Sequence, residues 1–141
     1  MVTLGSMISS SSVTASIRED LAAVWSHPLL ALTVSASYSD LITSAGSTGG
    51  PVKVDFSEKS QYAATVLWNK IGVGTQALRA IDATNSNNVL FEIASLASGE
   101  NDVVLASLPG WASGIQKIKL QVKSSNILDT PDFQGCSLRL K

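Results

Sequence analysis

The residues that could carry out covalent or acid–base chemistry are few and far apart in this chain. Its 141 residues include one histidine, His27, and one cysteine, Cys136. A serine or cysteine nucleophile needs a base within hydrogen-bonding reach, and the many serines show no spacing that would pair one of them with His27. The run "GWASG" has the wrong spacing for the nucleophile motif G-x-S-x-G. We therefore expect a protein that is not an enzyme. An enzyme that uses His27 is the hypothesis that we rank third, after the two functions given at the end of this section.

Metal and cofactor sites are not indicated either. Zinc takes three or four His or Cys ligands, and one residue of each type cannot supply them. Loop acids could contribute oxygen ligands to calcium, but EF-hand spacing is absent; these acids are Glu100, Asp102, Asp129 and Asp132. No glycine-rich phosphate loop precedes a helix, and no two acids are paired as in glycosidases. The sequence predicts no metal and no cofactor.

The charge of the chain excludes further classes of partner. The net charge is −1 and 15% of the residues are charged, against about 25% in an ordinary soluble domain. Nucleic-acid binders carry a strongly basic surface, so no nucleic-acid partner is expected. No apolar run approaches the roughly 18 residues of a membrane helix, so no membrane partner is expected.

Half of the basic residues lie near the end of the chain, at Lys117, Lys119, Lys123, Arg139 and Lys141. If the last two predicted strands are neighbours, their outward faces form a basic patch. The interpretation that we favour is different: lysines on exposed strands discourage unwanted edge pairing.

The elements that must position any site begin with a predicted helix over 17–26. Ser16 and Glu19 have capping-box spacing, and Pro28 ends the run. Ile17, Leu21 and Val24 form an apolar stripe at helical spacing. We predict that this stripe, together with Trp25, docks on a partner protein, and that residues 1–28 are a docking arm and short helix.

After residue 29 the polarity of the side chains alternates with a period of two, which is typical of half-buried strands. Eight strands are predicted, at 30–38, 52–56, 62–71, 75–83, 89–94, 102–107, 115–123 and 136–141. The turn formers in "TNSNN" predict a hairpin with a five-residue loop between the fourth and fifth strands. We expect an all-β protein: an eight-stranded antiparallel jelly-roll-like β-sandwich over 29–141, preceded by the short N-terminal arm and helix.

A loop provides a second candidate contact site. Trp111 lies in the irregular run "LPGWASG", where an aromatic residue is often a contact residue. It could stack on a sugar or on a neighbouring chain, or it could close the end of the sandwich. In the first case we expect Asn101 and Asp102 to form a ligand-facing surface with it.

Three segments resemble the β-sandwich accessory domains of tailed-phage virions: "QALRAIDATNSNNVLFEIASL", "IQKIKLQVKSS" and the final strand "CSLRLK". Head fibres, capsid decoration proteins and tail-fibre domains of that group have a similar strand–turn–strand arrangement, and the resemblance covers residues 30–141. It implies a non-enzymatic structural protein of the virion, assembled in the host cytoplasm and anchored through its N-terminal segment. Its partners would be other capsid or tail proteins and copies of itself, commonly as a trimer. The alternative function is a carbohydrate-binding module or the receptor-binding tip of a fibre, with a host surface glycan as ligand.

Overall fold

The protein is a β-sandwich of two antiparallel sheets, and the computed structural model describes residues 19–26, 31–43, 46–47 and 49–141. The strands are β1 (Asp20–Trp25), β2 (Ser39–Asp40), β3 (Ile42–Thr43), β4 (Gly46–Ser47), β5 (Val52–Asp55), β6 (Gln61–Asn69), β7 (Gln76–Asp82), β8 (Asn85–Ile93), β9 (Gly99–Ser107), β10 (Ile115–Ser124) and β11 (Asp132–Leu140). Sheet 1 has the order β1-β11-β6-β9. Sheet 2 has the order β2-β10-β7-β8, and β5 pairs with β10 beside β2.

The order of the strands is that of a jelly roll. If β2 and β5 are counted as one strand, the first strand of the chain pairs with the last, the second with the next to last, and so on inward to the β7–β8 hairpin. These four pairs alternate between the two sheets, as they do when one long antiparallel ribbon is wrapped into two layers. The predicted all-β sandwich is confirmed, with eight principal strands once β2 and β5 are merged.

The second strand is interrupted by a short excursion of the chain. β2 pairs with Gln121 and Val122 of β10, and β5 pairs with residues 115–118. Between them, Leu41 N donates to Leu120 O over 3.2 Å, and Leu120 N donates to Gly49 O over 2.6 Å. The excursion carries the small β3–β4 hairpin, so the chain leaves the ladder and rejoins it at one residue of β10.

The core lies between the two sheets and follows the period of two. In β10 the side chains of Ile118, Leu120 and Val122 are fully buried and alternate with lysines and a glutamine. Trp68 of β6 packs edge-on against Phe133 of β11, with ring centroids 6.5 Å apart. An alternating pattern of this kind is stable only when one face of each strand meets apolar side chains of the facing sheet.

The predicted helix over 17–26 is wrong for residues 20–25, which form the edge strand β1. This strand pairs with β11 from Asp20↔Leu140 to Trp25↔Cys136, with a bulge between Leu21 and Ala23. A ten-residue helix is marginal on its own, whereas a strand here satisfies the backbone edge of β11 and buries Trp25. The part of the predicted docking segment 1–28 that is described therefore lies in the sandwich; Ile17 lies outside the described residues.

Two further predicted elements are corrected. The strand predicted over 30–38 is wrong as a ladder, because its described part makes isolated bridges at Ala31 and Leu32 and a separate backbone hydrogen bond from Ser124 N to Ser35 O before β2 begins; Leu32 and Val34 nevertheless lie in the core. The predicted five-residue hairpin loop is a two-residue turn, because β8 begins at Asn85. The Asp82 carboxylate accepts hydrogen bonds from the backbone and side chain of Thr84, which closes this turn early.

The predicted basic patch does not form, because the last two strands lie in different sheets. Lys117, Lys119 and Lys123 are on β10 in sheet 2, whereas Arg139 is on β11 in sheet 1. Our interpretation of the lysines as edge protection is also wrong. β10 has β7 on one side and β2 and β5 on the other, so it is not an edge strand.

Candidate functional site

The outer face of sheet 1 carries the first candidate site, and its polar groups form a chain from the residue before β1 across β11, β6 and β9. Arg139 of β11 donates from Nε to Glu19 Oε1 over 3.0 Å, just before β1. Its Nη1 donates to Thr65 Oγ1 on β6 over 3.2 Å and to Ser137 Oγ over 3.0 Å. Thr65 Oγ1 donates in turn to Asp102 Oδ1 on β9 over 2.8 Å. The charged groups in the middle of this face therefore already have partners.

Two carboxyl groups lie at the β9 end of this chain. The hydrogen bond from Thr65 lowers the pKa of Asp102, and its interaction with Glu100 acts in the same direction. The hydrogen bond and the negative charge of Asp102 raise the pKa of Glu100. These opposite directions arise because two neighbouring carboxyls cannot both ionise freely.

An apolar hollow adjoins the polar chain. Gly135 of β11 lies at a bulge with φ of 144°, and it pairs with Leu67 of β6. A cavity of about 220 Å³ lies beside this glycine, lined by Val24, Trp25, Ser26, Thr65, Leu67, Gln134, Gly135, Cys136 and Ser137. Val24 and Leu67 are exposed. A hollow of this kind can receive an apolar side chain of a partner.

The structure divides the predicted docking residues between two faces. Leu21 and Val24 point outward from sheet 1, with 65% and 53% of their surface exposed, whereas Trp25 is 3% exposed and belongs to the core. The predicted single stripe therefore does not exist among the described residues. Leu21 and Val24 remain together on the outer face because the bulge at Leu21/Ala23 changes the alternation.

The predicted contact residues Asn101, Asp102 and Trp111 are not brought together. Asp102 lies midway along β6–β9 opposite Thr65, and Trp111 follows the far end of β9. The six residues from Asp102 to Ser107 span about 17 Å of extended strand. Asn101 is occupied with its own loop, because it accepts from Ala97 N and donates to Ala97 O, both over 2.9 Å.

Trp111 is half-buried at the end of the sandwich. Its ring meets Phe56 edge-on, with centroids 6.4 Å apart and planes at 75°. Gln116 donates to the backbone oxygens of Trp111 and Ser113, which fixes the turn that carries the indole. This geometry is that of a side chain that closes the core.

The outer face of sheet 2 holds a second polar cluster. Tyr38 lies just before β2 and reaches towards β8, where its hydroxyl donates to Glu92 Oε2 over 2.7 Å. Arg79 and Lys123 lie over its ring, 4.3 and 4.6 Å from the centroid. Burial and the hydrogen bond to Glu92 raise the pKa of Tyr38. Beside this cluster lies a cavity of about 250 Å³, lined by Ala36, Thr75, Ala77, Glu92, Ala94, Lys123 and Ser125.

A buried carboxylate organises the loops at one end of the sandwich. Asp129 Oδ2 accepts hydrogen bonds from Ser124 Oγ over 2.7 Å, Gln76 Nε2 over 3.0 Å and Gly74 N over 3.1 Å. The bond from Gln76, followed by the others, lowers the pKa of Asp129. Gln76 also accepts from the buried Trp68 Nε1 over 2.8 Å. The two loops that flank this hub, 70–75 and 125–131, are thereby fixed to each other and to the core.

The remaining candidate groups are distributed as follows. Cys136 is buried, and this burial raises the pKa of its thiol to about 12. Of the loop acids considered as oxygen donors to calcium, Asp129 is held in the hub and Asp132 accepts from Asn69; within the described ranges no three His, Cys, Asp or Glu residues cluster in a way that could hold a metal ion. His27 lies outside the described residues. No described helix is long and apolar enough to cross a membrane.

Comparison with known proteins adds no family. No protein-family model matches the chain, and no curated protein does. The fold itself defines the class of the protein as a jelly-roll β-sandwich.

Sequence reasoning missed the polar chain of sheet 1 and the hub at Asp129. Both join residues that are far apart in sequence, such as Gln76 and Asp129. A weak signal was present for the loops: in "KIGVGT" and "SNILDTP", aliphatic residues lie between turn formers.

Proposed function

We propose that this protein is a non-enzymatic structural component of a tailed-phage virion, and that it docks on another virion protein through the outer face of sheet 1. The jelly-roll order of the strands supports the proposal, since this architecture recurs in viral capsid proteins. Fold alone does not define function. The observation that carries the proposal is the apolar hollow at Gly135, flanked by the exposed side chains of Val24 and Leu67.

The surroundings of the hollow favour binding to protein. Arg139, which contacts two residues that line the hollow, is already paired with Glu19 and hydrogen-bonded to Thr65 and Ser137. A partner that covers this face therefore does not bury an unpaired guanidinium group. Burying an unpaired charge would strongly disfavour binding. Covering Leu21 and Val24, each about half exposed, contributes roughly 1–2 kcal/mol per side chain.

The proposal is tested by incorporation into particles. Particles are purified from the phage that carries the gene after complementation with tagged wild type or with the double variant Leu21→Asn/Val24→Asn. Quantitative mass spectrometry should find the wild-type chain at a fixed number of copies per particle. The double variant should be reduced more than tenfold, because roughly 2–4 kcal/mol of contact is lost.

A matched control separates docking from general surface polarity. Ile115 lies on sheet 2 and is 67% exposed, close to the 65% of Leu21, so Ile115→Asn should be incorporated like wild type. Absence of the wild-type chain from purified particles contradicts the virion function. Equal loss of the Ile115 variant contradicts the docking face.

The cavity beside Tyr38 favours saccharide binding as a second candidate function. Its rim brings together the carboxylate of Glu92 and the ammonium group of Lys123, with the hydroxyls of Thr75 and Ser125. Acceptors and donors on opposite sides suit the hydroxyls of a sugar, each of which donates and accepts. On a glycan array, Lys123→Ala should lose binding that Trp111→Ala retains. Absence of wild-type binding to every glycan removes this candidate.

A further inference from the structure

The end of the sandwich that holds the Asp129 hub exposes four aliphatic side chains on two adjacent loops. Val73 and Leu128 are 89% and 82% exposed, the highest values for large apolar residues in the described chain, and Ile71 and Ile127 are also exposed. We call these four residues the aliphatic tip. A contiguous exposed apolar patch on a soluble domain usually marks an interaction site.

The tip is rigidly supported. The backbone of Thr130 donates to Ile71 O, and Ser125 N donates to Thr75 O over 3.1 Å, so that the loops are bonded to each other. Thr75 N donates to Ser125 Oγ over 2.8 Å. Asp129 ties both loops to β7 and β10 through Gln76 and Ser124. A surface whose loops are already ordered loses less conformational entropy when it binds.

The charge of this end selects the kind of partner. The described loops here are 33–37, 70–75, 94–98 and 125–131, and they contain two charged residues, Lys70 and the buried Asp129. In a twofold contact a charge that lies on the symmetry axis meets its own copy. An uncharged aliphatic patch is complementary to a copy of itself, whereas it offers nothing to a charged partner.

The size of the tip indicates a weak contact, and its composition argues against a membrane surface as the partner. An end four strands wide and two sheets deep covers on the order of 400 Å², against about 800 Å² per partner in a stable interface, so the contact must be weak. A membrane-binding surface would be expected to carry interfacial aromatic residues and several basic ones. The tip has no aromatic residue, and Trp111 lies at the opposite end of the sandwich.

We propose that the aliphatic tip binds the same tip of a second copy of this chain, which joins two sandwiches end to end in a weak twofold dimer. This contact is independent of the outer face of sheet 1, so it does not require the proposed virion function. The dissociation constant should lie in the micromolar range, on the order of 10–500 µM, as expected for an interface at the small end of the specific range.

Sedimentation equilibrium of the purified full-length protein over that range tests the proposal. The wild-type mass should rise from 14.7 kDa towards that of two copies. Val73→Asp puts one carboxylate from each copy into the contact and should weaken association at least tenfold. Val104 is matched in type and exposure, at 80%, but lies on β9, so Val104→Asp should associate like wild type. Val73→Ser, which adds no charge, should show a smaller loss.

Three results would overturn the proposal. The first is a wild-type protein that stays monomeric at the highest concentration, or a mass that converges on three copies. The second is a Val104 variant that dissociates as fully as the Val73 variant. The third is flotation of wild type, but not of Val73→Asp, with phosphatidylcholine vesicles, which would assign the tip to a lipid surface.

Discussion

Replacing Trp25 by alanine should destabilise the protein far more than replacing its neighbour Val24. The two residues are adjacent on β1 but face opposite ways, with 3% and 53% of their surface exposed. Deleting a buried aromatic side chain costs about 3–5 kcal/mol. The Val24→Ala change removes two half-buried methyl groups and should cost about 0.5–1 kcal/mol.

The indole nitrogen of Trp25 modifies this expectation. Trp25 Nε1 is buried and has no hydrogen-bond partner among the described residues, and an unsatisfied buried donor costs about 1–3 kcal/mol. Removing it recovers part of the loss, so the net cost of Trp25→Ala should be close to 3 kcal/mol. Trp25→Phe keeps a ring in the core and removes the unpaired N–H, so it should lie within about 1 kcal/mol of wild type.

Urea unfolding followed by circular dichroism measures all three variants without relying on tryptophan fluorescence. For a chain of this size, 3 kcal/mol corresponds to a fall of roughly 10 °C in Tm. A Val24→Ala cost equal to or greater than that of Trp25→Ala would refute the orientation of β1. A Trp25→Phe cost as large as that of Trp25→Ala would refute the argument from the unpaired donor.

Three other predictions concern the loops and the thiol. A Cβ on Gly72, whose φ is 119°, would lie 1.9 Å from Asp129 Oδ1, so Gly72→Ala should lower the free energy of unfolding by about 1–3 kcal/mol. Gly110→Ala, where a Cβ would meet no atom within 4 Å, should be neutral in the same urea titration; equal costs would contradict the close approach. The folded pKa of Asp129 is lowered, so its contribution to stability is present above the unfolded value of about 3.9 and is lost as pH falls below it. Asp129→Asn should therefore show a smaller decrease in urea midpoint between neutral pH and pH of about 3 than wild type, and parallel decreases would argue against the hub. Burial raises the pKa of Cys136 to about 12, so the native protein should not react with a thiol reagent at neutral pH, whereas the urea-unfolded chain should react fully; rapid native labelling would show that the thiol is accessible.

The period of two made most of the sandwich predictable from sequence. Seven of the eight predicted strands overlap observed ones, because the side chains on one face of each strand had to be apolar. The first strand could not be found in this way. Leu21, Val24 and Trp25 fit a helical stripe locally. The segment forms a strand instead because it pairs with the edge of β11, which lies more than 100 residues later in the chain.

The candidate sites were less predictable because they depend on pairing between distant segments. The hollow at Gly135 requires β1 and β6 on either side of the bulge in β11. The aliphatic tip requires the β6–β7 and β10–β11 loops to meet. Trp111 was predicted either to stack on a ligand or to close the sandwich, and its contact with Phe56 is the geometry of closure.

The segment between β2 and β5 can change in length without changing the geometry of the sandwich. Leu41 and Gly49 both hydrogen-bond to Leu120, so the chain departs from the ladder and returns to it at the same rung. Lengthening a loop whose ends are already held together costs little, about 0.6 kcal/mol per doubling. A foreign peptide could therefore be grafted at this position and displayed from the side of the sandwich, with the neighbouring strands kept in register.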